Sequence, residues 1–226
     1  MEFQRITSLS HPLFDETWRV YEQSFPASER RTREDHLRAL EDAAFHACAA
    51  VENGLLLAIV FYWQTEAFTF LEHLAVNPPM RGTLCGTRVL QKLFAETPAP
   101  LILEIEQPTD EATRRREHFY ERLGFTLQPY PHGAFAYQAR TVCVPLCLMA
   151  RPAITQAQYE AFHRFFTGHV LTYTAYRQYS SLHTFVCRLL RLSKNSNGVF
   201  RQQAAACCAH ELSAPKADSL HTCRPE

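Results

Sequence analysis

The sequence lacks any apolar run long enough to cross a bilayer as a helix. It also lacks net charge: 23 Lys and Arg offset 23 Asp and Glu. That balance does not ask for nucleic acid or an anionic membrane as a partner. The opening residues, MEFQRITSLSHPLF, do not have the basic-then-apolar layout of an export signal. The expected location is therefore the cytoplasm. Eight cysteines are present but no C-x-x-C pair. Without an export signal they read as free thiols in a reducing compartment, with Cys143 and Cys147 as core residues of an apolar run. Cys207, Cys208, His210, His221 and Cys223 are zinc-ligand types, but their spacing fits no familiar finger. No metal is expected.

What is present is enough apolar sequence, 46% of 226 residues, for one domain with a sizeable core. The composition changes near residue 178. The last 49 residues hold six Lys and Arg against three Asp and Glu. Leu182, Phe185, Val186, Leu189 and Leu190 form a short amphipathic stripe there. From Ser193 onward no periodicity is sustained, and disorder is expected. The chain thus reads as a domain over 1–177 and an appended tail over 178–226.

Within the domain, apolar spacing predicts helices over 13–24, 32–43, 84–96, 111–123 and 155–168. Gly124 caps the fourth of these. Strands are expected over 45–52 and 55–63, joined at Asn53-Gly54, and over 68–76, 101–105, 125–128 and 142–149. Pro145 argues that the last strand lies at an edge or carries a bulge. Strands followed by strand–helix–strand–helix–strand predict a mixed α/β fold with helices on both faces of the sheet.

The stretch FTFLEHLAVNPPMRGTLCGT, residues 68–87, names a ligand class. An alternating strand runs into a tight turn with Arg81, two glycines and the start of a helix. Helix N-termini present unpaired N–H groups and positive potential, so such a turn can hold a phosphate. The next helix carries Phe119-Tyr120 and is followed by Leu123-Gly124-Phe125. This order, strand–Arg-Gly-x-x-x-Gly–helix and then strand–helix–Phe-Tyr-x-x-x-Gly-Phe, resembles the GNAT family of acetyl-CoA-dependent N-acetyltransferases. Ser24-Phe25-Pro26, Glu29-Arg30-Arg31, Phe61-Tyr62-Trp63, Leu71-Glu72-His73 and Leu103-Glu104-Ile105-Glu106 resemble a bacterial subgroup of it. The resemblance covers about residues 1–150 and is strongest over 68–127.

The resemblance implies a GNAT-like central mixed sheet of six to seven strands. It also implies transfer of an acetyl group from acetyl-CoA to a primary amine of a small molecule or peptide. Arg81, Gly82, Thr83, Leu84, Cys85, Gly86 and Thr87 would hold the pyrophosphate. The backbone of Leu74, Ala75 and Val76 would pair with the pantetheine arm and polarise the thioester carbonyl. Tyr120 would be the general acid. The family motif has glycine where this chain has Leu84. If that position needs positive φ, leucine costs on the order of 1–3 kcal/mol or obstructs the phosphate. If the helix has already begun, leucine is acceptable.

A base must take a proton from the attacking amine. Glu72 is the first candidate. On strand parity it shares a face with Phe68, Phe70, Leu74 and Val76, where its pKa should be raised. Glu104 and Glu106 are rivals, and a bound water is another route. His73, on the opposite parity, reads as structural. Arg114-Arg115-Arg116 reads as a solvated helix face, and Ala112, Arg116, Phe119 and Leu123 as an inward stripe. In the family Tyr21, Phe25 and Glu29 would line the acceptor pocket. A non-catalytic CoA-binding or interaction module of the same fold is the alternative.

Overall fold

The computed structural model describes residues 1–133, 135–138 and 146–176. Seven strands form one sheet: β1 (Glu2–Ile6), β2 (Phe45–Glu52), β3 (Leu55–Gln64), β4 (Thr69–Val76), β5 (Leu101–Glu106), β6 (Thr126–Leu127) and β7 (Leu146–Arg151). Their order is β1-β2-β3-β4-β5-β7-β6, and only the β4–β5 pair is parallel. Among the described residues, five α-helices cover the sheet: α1 (Phe14–Ser24), α2 (Arg33–Leu40), α3 (Cys85–Glu96), α4 (Glu111–Glu121) and α5 (Gln156–Gly168). The mixed α/β class, with a sheet within the expected six to seven strands, is as expected.

The sheet separates two cores because β2 and β3 are apolar on both faces. Phe45, Ala47 and Ala49 of β2 and Ile59, Phe61 and Trp63 of β3 pack with Trp18 and Tyr21 of α1 and Phe162 and Phe166 of α5. On the other face Cys48, Val60 and Tyr62 pack with Val89, Leu90 and Leu93 of α3. Side-chain caps fix several helix starts. Thr32 accepts from Asp35 N–H, and Asp110 and Thr113 form a reciprocal capping pair, as do Thr155 and Gln158. Gly124 sits at φ +86°, the left-handed conformation expected after a helix.

Several expectations need correction. β1 was not foreseen; only Ile6 of its five residues is buried, so its alternation is weak. The last strand is flanked on both sides, by β5 and β6; Pro145, on which the edge expectation rested, lies outside the described residues. Thr113 is the buried residue of α4, while Ala112 and Arg116 are exposed. The thiols of the tail and the stripe over 182–190 lie outside the described residues, as does Cys143.

The parity of β4 is also corrected. Leu71 pairs with Tyr62 and His73 with Phe61, so Glu72 is an extra residue with no partner on β3. This is a bulge, and it switches the strand's faces. Phe70, Glu72, His73 and Ala75 serve the α1 side, whereas Leu71, Leu74 and Val76 serve the α3 side.

Candidate active site

The β4–β5 pairing stops at Leu71↔Leu103. Beyond it the two parallel strands part, and a cavity of about 480 Å³ occupies the gap. Its walls include Glu72 to Val76 of β4, Leu103 to Glu106 of β5, Tyr120 and Arg116 of α4, and Arg81. Phe25 and Glu29, and Tyr137 of the loop before β7, complete it. Leu74, Ala75 and Val76 remain paired with β3 on one edge only. Their other edge faces the cavity with no strand beside it among the described residues.

The turn after β4 lies at one end. The N–H groups of Gly82 to Thr87 make no hydrogen bond to another described residue. They lie at and just before the N-terminus of α3, a twelve-residue helix, so they suit an anionic oxygen. Cys85 contributes only backbone, because its thiol is buried against Leu57 O at 3.7 Å. Thr83 Oγ1 donates to Met80 O at 2.6 Å and closes the turn. Gly82 has φ +79° and Leu84 has φ 55°, ψ 15°. The leucine therefore occupies a left-handed position that favours glycine, at a cost of about 1–2 kcal/mol. Its side chain is 75% exposed, turned to solvent. The first of the two alternatives for this position applies.

Glu72 does not have the raised pKa expected of it. Arg31 Nη1 and Nη2 donate to its two carboxylate oxygens at 2.7 Å each. Trp63 Nε1 donates at 3.0 Å and the Tyr137 hydroxyl at 2.5 Å. Burial alone would push this carboxyl up. The guanidinium charge and the donated hydrogen bonds outweigh that and hold it below the ordinary carboxylate range. Arg31 is itself fully buried, between the rings of Phe45, Trp63 and Tyr137. Four donors hold this carboxylate, which suits it to fixing the bulge. Arg31, Trp63 and Tyr137 carried no site role in the sequence reading. The pair Arg31–Glu72 spans 41 residues, and Tyr137 lies 65 from Glu72, so no local pattern joins them.

His73 lies on the same face as Glu72. Its Nε2 donates to Glu29 O at 2.7 Å, since a carbonyl can only accept. Its pKa is pushed down to about 4, chiefly by burial, so the ring is neutral near pH 7. Tyr21 is buried rather than lining the cavity, and its hydroxyl accepts the Arg31 N–H at 3.0 Å.

Tyr120 is half-buried, with its ring edge-on to Phe119 and Phe125 at 5.1 and 5.5 Å. Its hydroxyl has no hydrogen-bond partner among the described residues. Burial pushes its pKa up to about 12, so it keeps its proton near neutrality. Of the rival carboxylates, Glu104 is bonded to His132 and Glu106 to Arg116. Arg116 is thus paired at the cavity wall, whereas Arg115 pairs along the helix with Glu111 at 3.2 Å. No group of three or more potential metal ligands occurs among the described residues.

A mixed sheet thus parts between two parallel strands, with a turn of unpaired amides after β4. The sequence matches the acetyltransferase (GNAT) family over residues 10–125, and the chain belongs to that family. A protein of Bacteroides thetaiotaomicron assigned to the GNAT acetyltransferases is 29% identical over 74% of this chain and 97% of its own, with a TM-score of 0.68. An aminoglycoside 6′-acetyltransferase type Ii is 20% identical over 69% of this chain and 99% of its own, with a TM-score of 0.50. An aminoglycoside 6′-N-acetyltransferase complexed with coenzyme A is 17% identical over 69% and 99%, with a TM-score of 0.49. The type Ii enzyme shares the fold alone. No curated protein matches the sequence at a significant level. Among the described residues, no helix is long and apolar enough to cross a membrane.

Proposed function

We propose that this chain is an N-acetyltransferase that moves an acetyl group from acetyl-CoA to a primary amine by direct transfer in a ternary complex. The observation that carries this reading is the parting of β4 and β5 over a cavity walled by Tyr120 and Arg81, with the unpaired amides of 82–87 on the turn that follows Arg81. Arg81 and the free amides of Gly82, Thr83, Leu84, Cys85, Gly86 and Thr87 suit a pyrophosphate. The unpaired edge of Leu74, Ala75 and Val76 suits the amide-bearing pantetheine arm. Donors on that edge would face the carbonyl oxygen as it gains charge. The thioester itself supplies the activated acetyl group.

Tyr120 is the proposed acid. With a pKa of about 12 it is always protonated in the working range. A thiolate has a conjugate pKa of about 8.5. It is too weak a base to keep the phenol's proton unless another returns to the tyrosine. The hydroxyl therefore donates a hydrogen bond to the departing sulfur and transfers its proton only as it is reprotonated. Glu72 stays in the site as the residue that fixes the β4 bulge. The acceptor is a small molecule or a peptide. The reading includes no nucleic acid, membrane or metal, and a cytoplasmic setting in which Cys48, Cys85 and Cys147 remain thiols.

One observation favours a second reading. Leu84 occupies the left-handed position in the phosphate turn, as a degenerate cofactor site would allow. On that reading the chain binds CoA without catalysis, or acts as an interaction module. Calorimetry of acetyl-CoA on the wild type and Leu84→Gly, side by side, separates the two. Micromolar binding by the wild type, followed by CoA release with an amine, supports the enzyme. Binding only after Leu84→Gly supports the second reading.

A further inference from the structure

We propose that Glu29 is the catalytic carboxylate that receives the acceptor's ammonium group and takes its proton. The inference rests on the acetyltransferase reading above and assigns the base that reading leaves open.

Among the described residues, four glutamates reach the cavity wall: Glu29, Glu72, Glu104 and Glu106. Three are already bound to cations or donors. Glu72 is held by Arg31, Trp63 and Tyr137, Glu104 by His132, and Glu106 by Arg116. Glu29 is half-buried, and its carboxylate has no hydrogen bond or ion pair among the described residues. It is the cavity carboxylate with lone pairs to give.

Its backbone, in contrast, is fixed from several sides. Glu29 closes a tight turn, Ala27–Glu29, through its N–H to Pro26 O at 2.9 Å. Ser28 O accepts the Tyr137 N–H at 2.7 Å. Glu29 O accepts from His73 Nε2 at 2.7 Å. Gln138 Nε2 donates to Arg30 O at 3.0 Å and to Arg31 O at 3.2 Å. The turn is thereby tied to β4 beside the stretch that would present the acetyl group. A free side chain on an anchored backbone is what a positioned base requires.

The electrostatic setting agrees. Partial burial, then the charges of Glu106 and Glu104 on β5, push the Glu29 carboxyl up, and Arg116 of α4 opposes them. His73 of β4 is neutral and adds no charge. An ammonium arriving here meets an excess of negative charge. Phe25, Phe135 and Phe166 line the same cavity and offer an apolar wall to the rest of the acceptor.

Glu29 takes a proton from the ammonium and passes it to solvent. The freed nitrogen attacks the thioester carbon, and the carbon–sulfur bond breaks. The sulfur takes the Tyr120 proton, and the proton shed by the nitrogen as it becomes an amide restores Tyr120. Amide, thiol and one released proton result.

The test is acetyl-CoA binding by calorimetry and CoA-thiol release with phenethylamine, spermidine and alanyl-phenylalanine amide. On an amine the wild type acetylates, Glu29→Gln should lower kcat about 10²- to 10⁴-fold. Acetyl-CoA affinity should be unchanged and the acid limb of the pH profile lost. Glu29→Asp should recover part of the rate. Glu106→Gln, which removes the strongest neighbouring like charge, should move the limb to lower pH. Glu29→Gln with wild-type kcat and an intact acid limb overturns the assignment and leaves the acetyltransferase reading standing. Acetyl-CoA binding with no turnover on any amine overturns the assignment and favours the non-catalytic reading. A wild type that binds no acetyl-CoA overturns the proposed function itself.

Discussion

Glu72 and Glu29 sit on the same cavity and have opposite surroundings. Glu72 is on a strand, its side chain 1% exposed, with four donated hydrogen bonds and a guanidinium. Glu29 is on a turn, half-buried, with like charges for neighbours. Position in a strand facing the cavity does not make a carboxylate a base. What matters is whether its lone pairs and its charge are still available. The first carboxylate holds the bulge and the second is left to meet a substrate.

The largest effect should come from breaking the first environment. Arg31→Met leaves the Glu72 charge buried without its cation. We expect a loss of about 3–5 kcal/mol of stability, measured by urea unfolding near pH 7. Its pH dependence carries a sign. In the wild type the Glu72 pKa is depressed, so its contribution persists above the ordinary carboxylate range and fades only as pH falls through the lower folded value. In the variant the same carboxyl is desolvated and uncompensated, so its pKa rises. The deficit should be greatest near neutrality, begin to shrink as pH falls through the variant's raised folded value, above the ordinary glutamate value of about 4.3, and go on shrinking until the wild-type carboxyl is protonated as well. A deficit that is constant with pH would mean the guanidinium acts by packing between its three aromatic rings rather than by charge.

Tyr120→Phe should come next. It removes one hydroxyl with no described partner and leaves the ring packed on Phe119 and Phe125. Folding stability should be nearly unchanged. On a genuine acceptor, kcat should fall about 10²-fold, the lower end for loss of a general acid. Unchanged turnover would remove Tyr120 from the mechanism and leave the thiolate to depart unaided.

These contrasts also mark what the sequence could disclose. β4, its turn and α3 were legible because apolar period, glycine and helix start fall in one contiguous stretch. Tyr120 was legible for the same reason. The bulge at Glu72 was not, since it exists only relative to the register of β3. That single extra residue moved Leu74 and Val76 off the face assigned to them and placed His73 on it. The partners of Glu72 come from the α1–α2 connection, β3 and a loop near residue 137, which only the folded sheet brings together. Glu29 was named as a pocket residue through family resemblance. Its freedom became visible only once every other cavity carboxylate had a partner.

A smaller effect should follow at the other end of the cavity. Leu84→Gly relieves a left-handed leucine, a strain of about 1–2 kcal/mol. Part of that is offset because glycine frees the unfolded chain by about 0.4–1 kcal/mol. A net gain between about 0 and about 1.6 kcal/mol is expected in urea unfolding. The gain should appear without ligand, and acetyl-CoA affinity should rise if the exposed side chain crowds the phosphate. Stabilisation with unchanged affinity would show that the leucine strains the turn but stays clear of the ligand.

The smallest effect sharpens the comparison most. Glu29 has a raised folded pKa, so ionising it costs more in the folded protein than in the unfolded chain. Stability should therefore decline slightly as pH rises through the ordinary glutamate value toward the folded one, with the deficit retained above it. Glu29→Gln abolishes that charge. It should raise the melting temperature modestly near pH 7, by less than Leu84→Gly does, and have no effect well below pH 4, where the wild-type carboxyl is protonated as well. Glu72→Gln should shift it the opposite way, because its charge is compensated. A residue whose neutralisation stabilises the fold while lowering turnover is retained for what it does to the acceptor. If Glu29→Gln instead lowered the melting temperature, its carboxylate would have a partner in the folded protein, and the contrast with Glu72 would fail.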